Sequence, residues 1–221
     1  MIVKVCGLTS PEDARFAATS GATHVGVVHW AGSKRGVISE ERVRVIFDAA
    51  RQAGASPVLV LVDHPDPPGV AHRTGAGVIQ LHGDEQPSDA IALVQGLPVW
   101  RALRVTSGTP ADSAASRARV WLAHGASAIV LDAHVPGMPG GTGVPVDLGL
   151  ARAVADQHPV VLAGGLRPDN VRAAIHAVLP LGVDVASGTE AAPGVKDPER
   201  VRTFVDEARS AFAGIDTGAS S

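Results

Sequence analysis

Short apolar runs rich in Val, Ile and Ala recur along the chain, and stretches with helical spacing separate them. This alternation of strand and helix patterns is typical of a parallel α/β fold. The runs predict eight strands, near Ile2–Cys6, His24–Val28, Val58–Val62, Val78–Gln80, Val99–Ala102, Ala128–Asp132, Val160–Ala163 and Val183–Ala186.

Helical segments fit between these strands, and several begin with Pro, whose missing N–H costs nothing in the first turn. Eight strands that are each followed by a helix close naturally into a barrel, whereas an open doubly wound sheet of this size usually has about five or six strands. We therefore predict a single (β/α)8 TIM barrel. The predicted helices are Pro11–Ser20, Glu40–Ala53, Pro68–Thr74, Pro87–Val94, Pro110–His124, Leu148–Gln157, Pro168–Val178 and Pro198–Phe212.

The length of 221 residues suits one barrel, and we assign residues 1–213 to the catalytic domain. Residues 214–221 are small and polar, so we predict a disordered tail there. The Gly- and Pro-rich stretch Pro136–Gly143 follows the sixth strand. In a barrel this position belongs to a loop on the catalytic face, so we interpret the stretch as a loop over the active site and not as a domain boundary.

The overall charge and composition narrow the class of ligand. A net charge of −3 and an isoelectric point near 6.3 give no global attraction to nucleic acid or to an anionic membrane. No apolar run approaches the roughly 18 residues of a membrane span, and the first strand begins without the features of a signal peptide. We expect a cytoplasmic monomer or homodimer whose partner is a small molecule. The chain has a single cysteine, which excludes an intramolecular disulfide and a multi-cysteine zinc site.

Two glycine-bearing turns follow the last two predicted strands. Gly164 and Gly165 come after the seventh strand, and Ser187 and Gly188 come after the eighth. Barrel enzymes frequently bind phosphate at these two places, because glycine lets backbone N–H groups approach the anion. The alternative is a pair of tight turns without a ligand, but the paired occurrence favours a phosphate site.

Cys6 ends the first predicted strand, which directs its thiol towards the mouth of the barrel. A thiol becomes a competent base when nearby cations or N–H groups lower its pKa, and Lys4 is the nearest cation in the sequence. A lone cysteine is otherwise often a small core residue. The position at the end of a strand favours the catalytic interpretation.

Asp132 ends the sixth predicted strand, roughly opposite the first strand in a barrel. Partial desolvation there would raise its pKa and help the carboxyl group to hold a proton for general-acid catalysis. The alternative is a helix cap or a loop salt bridge. Asp184 lies within the eighth strand, and we interpret it as structural.

Arg35 lies in the loop after the second predicted strand, where a guanidinium could bind a planar carboxylate through two hydrogen bonds. A solvated surface arginine is an equal alternative. Three histidines, His29, His64 and His82, fall near the ends of strands two to four and raise the possibility of a metal site. No carboxylates interleave with them as a ligand set, so we predict no metal and interpret His82 as a substrate-contacting or packing residue.

The order of motifs resembles the phosphoribosylanthranilate isomerase family from Val3 to about Phe212. The matching segments include Lys4-Val5-Cys6-Gly7-Leu8-Thr9, Gly32-Ser33-Lys34-Arg35, Val78-Ile79-Gln80-Leu81-His82-Gly83, Leu131-Asp132, Gly140-Gly141-Thr142-Gly143, Ala163-Gly164-Gly165-Leu166-Arg167-Pro168-Asp169-Asn170-Val171 and Ala186-Ser187-Gly188-Thr189-Glu190. The sequence departs from the family pattern at His29-Trp30, at Lys34, at Asp63-His64 and across Ala133–Pro139. These departures concern the pocket and leave Cys6 and Asp132 in place.

The resemblance implies a TIM barrel and a role for each candidate residue. Cys6 would be the general base, Asp132 the general acid and Arg35 the partner of the anthranilate carboxylate. The remaining substrate-binding positions that it implies are His82, Gly141, Gly164, Gly165, Ser187 and Gly188.

The reaction that the resemblance implies is an Amadori rearrangement of N-(5-phosphoribosyl)anthranilate in tryptophan biosynthesis. The ribose ring opens to a Schiff base, a proton leaves C2′, and the product is 1-(2-carboxyphenylamino)-1-deoxyribulose 5-phosphate. No cofactor is implied, because the imine nitrogen itself accepts the electron pair.

Three other functions compete with this one. A metal-dependent sugar-phosphate epimerase would use the histidines near the strand ends. Dual activity on the phosphoribosyl intermediate of the histidine pathway is a second alternative, but the barrels of that pathway, which resemble this fold, place Asp where Cys6 stands and need two phosphate sites, of which the sequence offers one. A catalytically silent barrel would bind phosphate without turnover, which Cys6 and Asp132 argue against.

Overall fold

The barrel strands follow one another in space in the order of the chain. The computed structural model describes residues 1–88, 96–106, 108–133 and 147–218. Eight parallel strands pair in sequence and close into a barrel, with Ile2 of the first strand opposite Gly182 of the last. The predicted barrel is confirmed. Its strands are β1 (Ile2–Cys6), β2 (His24–Val28), β3 (Ser56–Leu61), β4 (Val78–Leu81), β5 (Val99–Val105), β6 (Ala128–Ala133), β7 (Val160–Leu162) and β8 (Gly182–Val185).

A short antiparallel hairpin follows β8 and consists of β9 (Glu190–Ala192) and β10 (Val195–Lys196). The helices of the described residues are α1 (Pro11–Thr19), α2 (Glu40–Gln52), α3 (Pro67–Thr74), α4 (Ala111–Ala123), α5 (Leu148–Ala155), α6 (Val171–Val178) and α7 (Pro198–Gly218). The helix predicted over Pro87–Val94 falls largely on residues 89–95, outside the described residues, and so does the loop predicted over Pro136–Gly143.

Several helices begin where a side chain can accept the free N–H groups of the first turn. Ser10 accepts from the N–H of Asp13, with Pro11 opening α1. Asp147 accepts from the N–H groups of Gly149 and Leu150 at the start of α5. Because these caps are local, they are readable from the sequence and fix where each strand-to-helix loop ends.

The C-terminal helix corrects one prediction. We expected α7 to end at Phe212 and residues 214–221 to be a disordered tail, but the helix continues to Gly218, and residues 219–221 lie outside the described residues. Ile215 packs against the core and extends the helical spacing that begins with Phe204 and Ala208. Buried apolar area therefore outweighs the low helix propensity of Gly214. Although α7 has 21 residues, none of the described helices is long and apolar enough to span a membrane.

The alternation of side chains along each strand divides the apolar residues into two cores. The larger core lies between the strands and the helices and includes Val3 and Val5. The smaller core fills the barrel interior and includes Trp100, with Ile2 packed against it. On β1 the alternation sends Ile2, Lys4 and Cys6 inward. Lys4 therefore points into the barrel, two residues before Cys6, which lies at the mouth.

Candidate functional site

The carboxyl ends of the barrel strands gather the candidate residues on one rim. Cys6 is the last residue of β1, His82 directly follows β4, and Asp132 is the penultimate residue of β6. The two glycine-bearing turns follow β7 and β8. This end of a TIM barrel is where its catalytic residues converge.

Cys6 is tightly enclosed, with 6% of its surface exposed. A Cβ atom on Gly26 of the neighbouring strand would lie 2.6 Å from the Cys6 Sγ, so a glycine is needed there to leave room for the thiol. Burial raises the pKa of the Cys6 thiol, while the charges of Lys4 and Lys196 oppose this rise. The activity of the thiol therefore depends on the cations around it.

Lys4 and Asp184 form an ion pair inside the barrel beneath Cys6. The Lys4 Nζ lies 2.6 Å from the Asp184 Oδ2, and the two side chains are 0% and 8% exposed. Burial alone would lower the pKa of Lys4, but the charges of Asp184 and Cys6 raise it, so the side chain is an ammonium ion. The position of Lys4 inside the barrel was not predicted from the sequence. The alternation of Ile2, Lys4 and Cys6 was the signal that could have placed it.

Asp132 and His82 meet across the other side of the rim. The His82 Nε2 lies 3.5 Å from the Asp132 Oδ2, and their side chains are 23% and 16% exposed. Arg104, at the end of β5, donates a hydrogen bond to the carbonyl oxygen of His82 and so fixes the backbone there. The structure thus brings the predicted acid and His82 together, an arrangement that the sequence did not indicate.

Arg35 lies at the thiol side of the rim, half-buried. Its Nε and Nη2 donate to the two carboxylate oxygens of Glu190 at 2.6 and 2.7 Å. A Cβ atom on Gly7 would meet the Arg35 side chain at 2.7 Å, so the guanidinium stem covers the residue that follows Cys6. Glu190 thereby occupies the side edge of the guanidinium, which Nε and Nη2 form. The end edge, formed by Nη1 and the second N–H of Nη2, stays available for another planar anion.

Glu190 is held by a second cation, Lys196. The Lys196 Nζ lies 3.6 Å from the Glu190 Oε1 and donates to the carbonyl oxygen of Ala186 at 2.8 Å. Burial alone would raise the pKa of Glu190, but Arg35 and Lys196 hold it below its usual value. Because Arg35 and Glu190 are far apart in the chain, no local pattern could have revealed this pairing.

The two glycine turns form one compact unit. Gly164 and Gly165 both have left-handed backbones, with φ of 84° and 66°. A Cβ atom on Gly188 would lie 1.9 Å from the carbonyl oxygen of Leu166, so the turn after β8 packs directly on the turn after β7. Asn170 donates to the carbonyl oxygen of Gly165 and stabilises the first turn.

The N–H groups of this unit are the donors that a phosphate would need. Within the described chain, those of Gly164 and Gly165 donate no hydrogen bond to the protein. Ser187 and Gly188 belong to a one-turn 3-10 helix over Ser187–Thr189. Exposed N–H groups around adjacent turns are the usual means by which a barrel binds a phosphate.

The other candidate positions contribute less. Gly141 lies outside the described residues. The rings of His29 and His64 lie 5.6 Å apart between centroids, and the His29 Nδ1 is bonded to the carbonyl oxygen of Val37. In the described part of the chain, no group of three or more His, Cys, Asp or Glu side chains is placed to hold a metal ion.

Comparison with known sequences gives a consistent result. Residues 3–207 match the family model described as N-(5'phosphoribosyl)anthranilate (PRA) isomerase. An N-(5'-phosphoribosyl)anthranilate isomerase of Chromohalobacter salexigens is 41% identical over 206 residues, which cover 93% of this chain and 92% of the relative. The protein of the same name in Rubrobacter xylanophilus is 43% identical over 211 residues, which cover 94% and 98%.

Solved structures agree with these sequences. The phosphoribosyl anthranilate isomerase of Thermotoga maritima superposes with a TM-score of 0.84 and 34% identity, over 95% of this chain and all of that one. A phosphoribosyl anthranilate isomerase in complex with reduced 1-(o-carboxyphenylamino)-1-deoxyribulose 5-phosphate superposes with a TM-score of 0.79 and 32% identity. By its matched residues, its relatives and its barrel, the chain belongs to the N-(5'-phosphoribosyl)anthranilate isomerase family.

Proposed function

We propose that this protein converts N-(5-phosphoribosyl)anthranilate to 1-(2-carboxyphenylamino)-1-deoxyribulose 5-phosphate in tryptophan biosynthesis in the cytoplasm. The observation that carries the proposal is the position of a thiol and a carboxyl group on opposite sides of one barrel rim. Cys6 is the last residue of β1, and Asp132 is the penultimate residue of β6. An acid and a base that face each other across a pocket suit proton transfer between two atoms of one substrate.

The order of the strands supports this arrangement. Around the barrel, β7 and β8 lie between β6 and β1. A phosphate bound at Gly164, Gly165, Ser187 and Gly188 therefore sits between the acid and the base. The ribose attached to that phosphate extends over the mouth of the barrel, where both groups reach it.

In the proposed reaction Asp132 donates its proton to the ribose ring oxygen, and the bond between that oxygen and C1′ breaks. The anthranilate nitrogen supplies the electron pair and becomes a protonated imine. The Cys6 thiolate then removes the proton from C2′, and the C–H electron pair moves towards the imine to give an enolamine. The enolamine tautomerises to the ketone product.

Arg35 suits the anthranilate carboxylate. Glu190 occupies the side edge of the guanidinium, so the end edge has a fixed direction in which to accept two carboxylate oxygens. His82, beside Asp132, and Gly141 complete the proposed set of substrate-binding residues. No cofactor takes part in the proposed reaction, because the protonated imine stabilises the electron pair released at C2′.

The fluorescence of freshly generated phosphoribosylanthranilate provides the test. We expect the purified protein to change this fluorescence with turnover, and we expect the same rate in the presence of EDTA. Cys6→Ser and Asp132→Asn should each lower kcat by about 10²- to 10⁴-fold and leave the affinity for a product analogue almost unchanged, since each removes a positioned proton-transfer group.

Each outcome has a clear meaning. Normal turnover by Cys6→Ser would remove Cys6 from the role of base, and an unaltered pH–rate profile of Asp132→Asn would remove Asp132 from the role of acid. Loss of activity in EDTA would favour a metal-dependent epimerase. A folded protein without turnover would indicate a different substrate or a silent barrel.

A further inference from the structure

The barrel interior below Cys6 holds a charged pair that the proposed reaction does not use. Lys4 is fully buried and Asp184 nearly so, with 2.6 Å between the Nζ and Oδ2 atoms. A buried ion pair loses its hydration, and its attraction often does no more than compensate for that loss. A pair at this depth is therefore weak evidence of stability and calls for another explanation.

The geometry connects this pair to the thiol. A Cβ atom on Gly26 would meet the Cys6 Sγ at 2.6 Å and the Lys4 Nζ at 3.1 Å, so both atoms lie over the same glycine. The positive charge of Lys4 lowers the pKa of the Cys6 thiol, against the rise that burial causes. Lys4 thus binds the Asp184 carboxylate while its ammonium group lies in the same small space over Gly26 as the Cys6 thiol.

Asp184 does not use its full bonding capacity. Its Oδ2 accepts from Lys4, but its Oδ1 is buried without a hydrogen-bond partner in the described chain. A carboxylate that served stability alone would normally have both oxygens satisfied, because an unpaired buried oxygen costs free energy. This arrangement leaves Lys4 shared between Asp184 and Cys6.

We propose that Lys4 is a positioning residue for the reaction described above, whose buried ammonium group favours ionisation of the Cys6 thiol against the cost of its burial, and that Asp184 limits the strength of this effect. This inference rests on the proposed function, because Lys4 can assist catalysis only if Cys6 is the base. The state of the thiol, however, is a property of the free protein and is measurable without substrate.

Other charged groups also face this region. Lys196 from the hairpin and Arg35 from the loop after β2 both interact by charge with Cys6. His24 lies opposite Lys4 in the β1–β2 register, and burial with the charge of Lys4 lowers its pKa to about 4. His24 is therefore neutral near pH 7. Of the cations around Cys6, Lys4 has the largest effect on the thiol.

The proposal predicts opposite effects for the two partners of the pair. Lys4→Met removes the nearest cation, so Cys6 should ionise at a higher pH than in the wild type. Asp184→Asn removes a competing negative charge and frees the ammonium group for the thiol, so Cys6 should ionise at a lower pH. A purely structural role of the pair would not produce shifts of opposite sign.

The composition makes this measurement unusually clean. The chain contains one cysteine and no tyrosine, so a rise in far-ultraviolet absorbance with pH that disappears in Cys6→Ser reports the Cys6 thiolate. We expect Lys4→Met to move the midpoint of this absorbance change upward by about one pH unit or more. At a fixed pH below the midpoint, a shift of one unit is about a tenfold loss of thiolate. Alkylation of Cys6 by iodoacetamide, measured by mass spectrometry, should also be slower in Lys4→Met than in the wild type.

Lys34→Met is the matched control, because it removes the same charge from an exposed position in the loop after β2. Its midpoint should equal that of the wild type. A midpoint of Lys4→Met equal to that of the control would overturn the proposal, and so would shifts of the same sign in Lys4→Met and Asp184→Asn. If Lys4→Met does not fold, a midpoint of Asp184→Asn that is not lower than that of the wild type overturns it alone.

Activity separates this inference from the proposed function. In Lys4→Met we expect kcat to fall about tenfold at neutral pH and to recover at higher pH, where the thiolate forms again. The expected midpoint shifts without any wild-type turnover of phosphoribosylanthranilate would support the role of Lys4 and refute the proposed substrate. Wild-type turnover of phosphoribosylanthranilate without the expected midpoint shifts would support the proposed function and refute the role of Lys4.

Discussion

The two sides of the catalytic rim differ in how they hold their charges. The thiol side, formed by β1, β8 and the hairpin, buries Cys6, Lys4 and Lys196 among paired carboxylates. The acid side, formed by β4 to β6, leaves Asp132 and His82 at 16% and 23% exposure with 3.5 Å between them. The charged groups around Cys6 are enclosed, while the side chains of Asp132 and His82 are partly open to solvent.

This difference fits the separate tasks proposed for the two groups. A thiol that must lose its proton near neutral pH needs a cation held in a low-dielectric setting, where each charge acts strongly. A carboxyl group that donates a proton must regain one in every cycle, and contact with water makes that easy. The comparison predicts that substitutions on the thiol side disturb folding and chemistry together, and that those on the acid side disturb chemistry alone.

The largest effect is expected for Glu190→Gln. The substitution leaves Arg35 and Lys196 without their buried counter-charge, which should lower the free energy of unfolding by about 3 kcal/mol. Urea denaturation at neutral pH measures this loss. Because the wild-type carboxyl group has a lowered pKa, its contribution is present above its unfolded pKa and disappears as pH falls through the folded pKa. The difference between the two proteins should therefore shrink in acid.

Glu40→Gln is the control for this prediction. Glu40 also binds an arginine through both oxygens, at 2.7 and 2.9 Å from Arg73, but this pair lies on the surface. We expect a far smaller change than for Glu190→Gln, because water and salt screen exposed pairs. Equal losses in the two variants would contradict the contrast between enclosed and exposed charges.

A smaller effect is expected for Gly26→Ala. The new methyl group would compete for space with the Cys6 Sγ and the Lys4 Nζ, and displacement of the thiol by about 1 Å should lower kcat by about 10²-fold. Steady-state kinetics with phosphoribosylanthranilate measure this change. Gly214→Ala is a suitable control, since a Cβ there meets nothing within 4 Å. Wild-type kcat in Gly26→Ala would show that the thiol position is not critical.

The smallest of these three effects is expected for His82→Gln on the acid side. His82→Gln removes the imidazole beside Asp132, and we expect kcat to fall about tenfold because the carboxyl group loses a neighbour that orients it. The melting temperature should stay close to that of the wild type, since both side chains are partly solvated. A large loss of stability in this variant would break the proposed comparison of the two sides.

Local patterns explain how much of the fold was predictable. Strand positions followed from short apolar runs, and several helix starts followed from prolines such as Pro11, whose effect acts within one turn. The predicted end of α7 was wrong because the residues from Gly214 onward are small and polar, while the packing of Ile215 against the core extends the helix. Tertiary contacts of this kind leave no local signal.

The candidate site divides in the same way. Residues at strand ends, such as Cys6 and Asp132, could be assigned to the rim because barrel topology places every strand end there. The pairing of Arg35 with Glu190 and that of Lys4 with Asp184 join opposite ends of the chain and depend on barrel closure. Their sequence neighbourhoods contain no motif for a partner, so only the three-dimensional structure reveals them.

The contact between Gly188 and the Leu166 carbonyl has a consequence for loop exchange among barrels. Because the two backbones leave no room for even one methyl group, a foreign loop grafted after β7 alone would collide with the turn after β8. Successful transplants should therefore carry both turns together.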